Sequence, residues 1–492
     1  MNRFQSFHVL LLLAASTAVL LSPASAFAAI PWTAATVAAK GGQTTPVSIK
    51  ITPTNEIYVA GQFRSSPYFS GTNLTSKGGA DLFLAKYSSP SHLEWVVRAG
   101  STQDDRMGTM DIDSANNVYI TGGFIGTATF TSTNKKTRTV TGYGQTIFLA
   151  RYSSAGVLDW VVTGTSPVNG EINFGASVAL DAATGSLYLA SLGQENIVFT
   201  SANKTTDTVG GVWTWHVVLA RFTTAGVFQW GVSNQASPNS VPDQLKVGKE
   251  GNAYVTGSME GTTTFDSRDG NNITLDGFSP PQSTSDYPDD VFLVKYDRQG
   301  NAKWANHVGG YKAEGNALAI DLYGQITTVG WVGNSDISAS ESHTIVTSQP
   351  GKPNIDLGSG ILTQPVNADE FFATWNPAGQ LVRAGRIGDA ANQSSTGIAF
   401  NAKGGLNVVG VRQNGKYVSL LWHKYWQQKL LWDKTILNAA SWPIDPVSPV
   451  CAIDHSGYLL IAGPFHGTAT FGKFKLVSSG KADMYFAKLA PN

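Results

Sequence analysis

Asn117-Val118-Tyr119-Ile120-Thr121-Gly122 is the phrase on which the fold turns, because the chain repeats it. It returns almost unchanged as Asn252-Ala253-Tyr254-Val255-Thr256-Gly257. Weaker forms are Glu56-Ile57-Tyr58-Val59-Ala60-Gly61, Ser186-Leu187-Tyr188-Leu189-Ala190-Ser191, Gln325-Ile326-Thr327-Thr328-Val329-Gly330, Leu406-Asn407-Val408-Val409-Gly410 and Tyr458-Leu459-Leu460-Ile461-Ala462-Gly463. Self-similarity at this scale marks a repeat architecture, in which one small unit cannot bury its apolar face alone.

Each copy keeps the same neighbours. Before the phrase stands a short apolar strand that often ends in aspartate, as at Asp113, Asp181, Asp321 and Asp454. After it commonly comes Gly-Thr-x-x-Phe, from Gly126 to Phe130, Gly261 to Phe265 and Gly467 to Phe471. An alternating strand follows, such as Asp81-Leu82-Phe83-Leu84-Ala85-Lys86-Tyr87. A last strand centres on Trp95, Trp160, Trp230, Trp304 or Trp432, with Val382 in that place in the fifth copy. Four strands per copy, bounded by turn residues, predict an all-β fold: a seven-bladed β-propeller of four-stranded antiparallel blades. A solenoid would need distinct capping repeats at its ends, and none is visible. The seventh copy stops near Leu489 without its tryptophan strand, while Trp32 stands near the start of the mature chain. The expectation is that this N-terminal strand pairs with the C-terminal blade and closes the ring.

The combined pattern resembles the SBBP-type β-propeller repeat of bacterial exported proteins. It covers essentially the whole mature chain and erodes in the fifth and sixth copies, where Trp375 and Trp422 are read at the tyrosine position. The resemblance implies an exported or surface-associated protein and brings no catalytic residues with it.

The first residues agree with export. Arg3 precedes an apolar run from Val9 to Leu21, and Ala24-Ser25-Ala26 offers a signal-peptidase site, with Ala28 as the alternative. That predicts a signal peptide over residues 1–26, a single propeller domain over 27–492, and a periplasmic or extracellular protein. The run is shorter than the roughly 20 residues of a spanning helix, so no transmembrane span is expected after cleavage. Cys451 is the single cysteine, so no intramolecular disulfide is possible, and its apolar neighbours suit a buried structural thiol. With 34 basic and 34 acidic residues the chain has no excess charge with which to neutralise phosphates, which argues against a nucleic-acid partner.

Catalytic patterns are thin. The eight histidines form no HExxH or other close metal-ligand pair, and no Gly-x-Ser-x-Gly elbow or phosphate loop occurs. No metal or cofactor is expected. The run from Asp111 to Asn117 lacks the central glycine and distal glutamate of a calcium loop. Asp104, Asp105, Glu171, Asp243, Glu314 and Asp389 fall before first strands, where capping of turns is the expected role.

The segments between second and third strands are long and variable: residues 64–80, 125–145, 192–212, 260–289 and 332–368. They share one face with the loops that join copies, and loops carry function more often than scaffold does. Trp213, Trp215, Tyr287, Tyr311, Trp331 and Trp442 are the candidate ligand-binding residues, since an aromatic face suits a sugar ring or a peptide. Packing between blades would equally explain any single one of them. The expectation is a non-catalytic exported binding, adhesion or scaffold protein, monomeric, that holds a glycan, peptide or protein on the long-loop face. The alternative is a carbohydrate-active lyase or hydrolase at the channel mouth, with His307, Glu314 and Tyr311 converging; His466 has no partner identifiable from sequence.

Overall fold

The computed structural model describes residues 32–168, 170–237, 239–277, 289–309, 313–333, 346–348, 355–356, 368–387, 392–401, 403–414, 417–426, 429–439 and 449–491. Every regular element in them is a strand. The second copy shows the plan: Arg106–Ile112, Val118–Thr131, Thr137–Tyr152 and Leu158–Thr165 pair antiparallel in chain order. Each other copy repeats it. First strands of successive copies touch, from Gln43–Ile51 through Arg106–Ile112, Phe174–Asp181, Ser240–Val247, Ala313–Ile320 and Asn392–Phe400 to Val450–Ile453. Val450–Ile453 in turn touches Gln43–Ile51. The last sheet runs Val450–Ile453, Leu459–Phe465, Asp483–Leu489 and then Trp32–Ala39 from the other end of the chain. There Trp32 faces Leu489 and Ala35 faces Ala487. Backbone bonds continue past the ladder, with the Thr44 amide donating to the Ala482 carbonyl at 2.9 Å.

The repeated phrase is explained by what its residues meet. Its tyrosine is buried, and its glycine lies against the first strand: a Cβ on Gly61, Gly122, Gly257 or Gly330 would fall 1.8–2.1 Å from a first-strand carbonyl oxygen. At that level the first strand bulges, for instance between Pro242 and Gln244, which leaves Asp243 unpaired. The aspartate that ends the first strand caps the turn. Asp113 Oδ1 accepts the Ala115 and Asn117 amides, and Asp321 and Asp454 do the same in their own copies.

The long segments between second and third strands depart from the loop reading. Gly-Thr-x-x-Phe begins a β-hairpin, with threonines outward and phenylalanine inward: Phe130 lies 5.2 Å from Phe148, and Phe265 lies 5.2 Å from Phe292. The hairpins of the second to fifth copies add to the outer strand of the copy before. Val198–Thr200 pair with Thr163–Thr165, Thr262–Phe265 with Asn234–Ser237, and Val346–Ser348 with His307–Gly309. Outer strands otherwise present open backbone to solvent, and this hairpin covers them.

Two assignments in the eroded copies shift. The ladder sets Arg383, not Val382, opposite Thr374, in the register where tryptophan opposes Lys86, Arg151, Arg221 and Lys295 in earlier copies. In the sixth copy Tyr425 holds the tyrosine position, opposite Leu406, while Trp422 opposes Val409. Both tyrosine and tryptophan are buried there.

Candidate functional site

A groove of about 610 Å³ lies between the hairpins of the third and fourth copies. Its floor is the outer strand around Gly231, Val232 and Ser233, and its walls are residues 209–212 and the turn around Asp266 and Asn272. The two hairpins stand apart here because the third copy's hairpin joins the sheet before it and the fourth copy's joins this one. Asp266 accepts from Ser233 at 3.4 Å and from Asn272 at 3.1 Å, and burial raises its carboxyl above the ordinary range. Trp213 follows the wall residue Val212 and is 71% exposed; Trp215 is 38% exposed. The Gln194 amide holds this segment by donating to the Trp213 carbonyl at 3.1 Å. The groove mixes polar and apolar lining, and Trp213, next in sequence to its wall residue Val212, adds an exposed flat apolar face; hydrogen-bonding groups beside an aromatic face are the pairing a sugar ring uses.

The first strands carry a second polar constellation. Lys50, Asp111 and Lys246 all stand opposite the repeat tyrosine of their copy, where other copies have Ala179, Ala319 and Ala452. Lys50 Nζ donates to Asp111 Oδ1 at 2.8 Å, and the Leu180 amide donates to Asp111 Oδ2 at 2.9 Å. Burial, with Lys50 adding to it, brings the Lys246 ammonium down to about 8. The signal was present in the sequence as charge at a position that is otherwise alanine, and it becomes visible only once the register is known.

Antiparallel connectivity puts the starts of the first strands on the same face as the hairpin segments. Asp243 and Glu314, expected in loops, lie within first strands near those starts. Burial, reinforced by Glu314, raises the Asp243 carboxyl well above its usual value. Trp331 pairs with Glu314 in register, and its indole N–H donates to Glu314 Oε2 at 2.8 Å, so this half-buried side chain holds a carboxylate. Asp105 caps its turn, whereas Asp104 reaches instead to the segment before Asp81–Ser89 and to Arg64. The Ala80 amide donates to Asp104 Oδ1 at 2.7 Å, and Ser101 donates its amide and hydroxyl to Asp105 at 2.6 and 2.8 Å.

His307 lies in the outermost strand of the fourth copy, buried, with burial lowering its imidazole to about 4. Glu314 lies in the innermost strand of the fifth copy, so the structure separates these two across the width of a sheet. His466 follows a second strand and is half-buried. Tyr287, Tyr311, Trp442 and Asp389 lie outside the described residues. Among the described residues no group of three or more His, Cys, Asp or Glu is placed to hold a metal ion, and no helix is long and apolar enough to cross a membrane.

No family model matches the chain. A WD repeat-containing protein of Acanthamoeba polyphaga mimivirus is 22% identical over 386 residues, 69% of this chain; the chain spans about a quarter, 27%, of that relative's length. Among solved structures, a streptogramin B lyase is 7% identical, with 93% of this chain and 97% of that one covered and a TM-score of 0.41. An ulvan lyase bound to a fragment of its polysaccharide is 12% identical, with 91% and 96% covered and a TM-score of 0.41. At such identities and scores nothing about activity carries over. The strand pairing and the WD-repeat relative agree on a β-propeller-type repeat protein, all-β throughout its described residues.

Proposed function

We propose that the chain is an exported, non-catalytic binding module of bacterial origin, a seven-bladed ring sealed by Trp32–Ala39, whose long-loop face holds a partner, foremost a glycan. The single observation that carries the binding reading is Trp213, 71% exposed and next in sequence to Val212 in the wall of a 610 Å³ groove. An exposed indole presents a wide flat apolar face on which a sugar ring can stack. Support for the ring comes from the succession of touching first strands and the pairing of Trp32–Ala39 with Asp483–Leu489. The signal-like residues 1–26 support export.

The test is a glycan array read for the native chain and for Trp213→Ala. The expected result is binding by the native chain and at least tenfold weaker binding by the variant, with an unchanged melting curve. A native chain that binds no glycan, or a variant that binds as well, overturns the reading.

A second reading rests on Asp243 and Glu314. Burial, with Glu314 adding to it, raises the Asp243 carboxyl, and a pair of carboxyls is the acid–base equipment of carbohydrate-active enzymes. It requires turnover of a polysaccharide that Asp243→Asn abolishes, and a screen without turnover removes it.

A further inference from the structure

We infer that the outer edge of Leu381–Ile387 is a docking edge for an acidic-tipped β-hairpin of a partner protein. The inference comes from what ties the first four copies to their successors, and from the fifth junction, where both ties are missing.

Two ties recur at the first four junctions. In the first, the outer-strand tryptophan donates its indole N–H to a turn carbonyl of the next copy. Trp95 reaches Ser154 and Trp160 reaches Thr224, both at 3.2 Å, Trp230 reaches Arg298 at 3.2 Å, and Trp304 reaches Pro377 at 3.1 Å. A glycine in that turn lies flat on the ring. A Cβ on Gly156, Gly226, Gly300 or Gly379 would fall 2.7–3.0 Å from indole atoms. The second tie is the hairpin, which extends the outer edge of the copy before it. Its tip sits over the same turn: the Thr133, Ala202 and Arg268 amides donate to the carbonyls of Gly156, Gly226 and Gly300 at 3.1, 2.9 and 3.2 Å. The Arg268 guanidinium consequently lies 5.9 Å from the Trp230 ring.

The fifth copy has neither tie. The second and third strands of the sixth copy, Leu406–Asn414 and Tyr417–Trp426, are joined by residues 415 and 416 alone, so no hairpin can reach back. Among the described residues Leu381–Ile387 pairs only with Ala368–Trp375. Where tryptophan should be stands Arg383. Its Nε donates to Thr374 Oγ1 at 3.2 Å, and its guanidinium lies 5.5 Å from the Phe372 ring and 6.0 Å from the Tyr425 ring. Its Nη1 is buried without a hydrogen-bond partner among the described residues. A buried guanidinium N–H with no acceptor is costly and is relieved when an acceptor arrives.

The two observations fit one occupant. A hairpin seated like the others would add a strand to this edge through backbone bonds, the mode by which exposed sheet edges take partner strands. Its tip would fall over Arg383, as Arg268 falls over Trp230. With the aromatic ring replaced by a cation, the tip must carry an anion.

The probe is a synthetic hairpin with the sequence of residues 260–277, made in two forms, one with Arg268 and one with Arg268→Glu, each titrated against the full chain. The expected result is binding of the glutamate form, at least tenfold weaker binding of the arginine form, and slowed hydrogen exchange across Leu381–Ile387 on binding. Arg383→Gln should erase the preference between peptides, and Arg383→Glu should reverse it. Several outcomes overturn the inference. They are failure of the glutamate form to bind, equal binding of both forms, and amides of Leu381–Ile387 as protected in the free chain as those of Leu158–Thr165. A concentration-dependent dimer that Arg383→Glu dissolves also does so, since a second copy would then own the edge.

Discussion

Gly257→Ala should cost the fold far more than an alanine usually does. The new Cβ would lie 2.0 Å from the Val241 carbonyl oxygen, 2.8 Å from Pro242 Cα and 3.0 Å from the Phe292 ring. The oxygen and Cα belong to backbone that cannot swing aside, so first and second strands must part by roughly an ångström beside the bulge. Overpacking of this kind costs about 1–3 kcal/mol. Parting the strands loosens at least one ladder bond, worth about 1 kcal/mol. It also disturbs the adjacent buried bond from Thr256 Oγ1 to the Phe292 carbonyl, 2.8 Å long. The smaller entropy of the unfolded alanine chain returns about 0.4–1 kcal/mol. The net expectation is a loss of about 2–3 kcal/mol. Urea unfolding followed by tryptophan fluorescence measures it, with Gly210→Ala as the control, because a Cβ at Gly210 meets nothing nearer than 4.0 Å. The control should stay within about 0.5 kcal/mol of the native chain. A Gly257→Ala variant as stable as that control would refute the view that this glycine is set by close approach of the first strand.

Two further perturbations test other parts of the structure. Burial raises the Asp105 carboxyl to about 7, against 3.8 for the ordinary group; the folded chain therefore holds a proton that the unfolded chain has lost between those values. Stability from this group is full below pH 3.8 and falls as pH rises through 7, by about 1.4 kcal/mol per unit at most. Asp105→Asn should flatten that part of a pH series of urea midpoints, and an unchanged slope would count against the assignment. The pairing of the chain ends predicts that Ala35→Cys with Ala487→Cys, in a Cys451→Ser background, forms a disulfide, since directly opposed residues lie about 4.5–5.5 Å apart. Mass analysis after proteolysis should find the two ends linked, and free thiols at both positions would break the closure argument.

The sequence was most legible where each copy obeys the same local physics. Tyr119, Gly122 and Asp113 could be read because burial, close approach and turn capping act within a few residues of chain and recur. The pairing of Trp32 with the last copy could be read from a missing element at one end and a spare one at the other. The hairpins were harder, because Gly-Thr-x-x-Phe opens a segment of variable length, and only its threonine–phenylalanine alternation is that of a strand with one buried face. Lys50, Asp111 and Lys246 were hidden for a different reason: they meet through register between copies far apart in sequence. Glu314 and His307 looked close along the chain and are separated, because a chain that passes from outer strand to inner strand crosses a whole sheet in a few residues.

The erosion of the repeat in the fifth and sixth copies then takes on a physical meaning. In earlier copies the tryptophan, the turn glycine and the hairpin are one device, with the glycine beneath the ring and the hairpin tip over both. The glycine is the member that can be spared, since Trp32 and the first copy's hairpin stand where the turn after Tyr87 reads Ser88-Ser89-Pro90-Ser91. Arg383 stands in the tryptophan position, and residues 415 and 416 leave no room for a hairpin. Residues 427 and 428, where the turn glycine would fall, are both glutamine. Tryptophan and hairpin are lost together at the fifth junction, with a cation in place of the ring, as a sheet edge open to an outside strand requires.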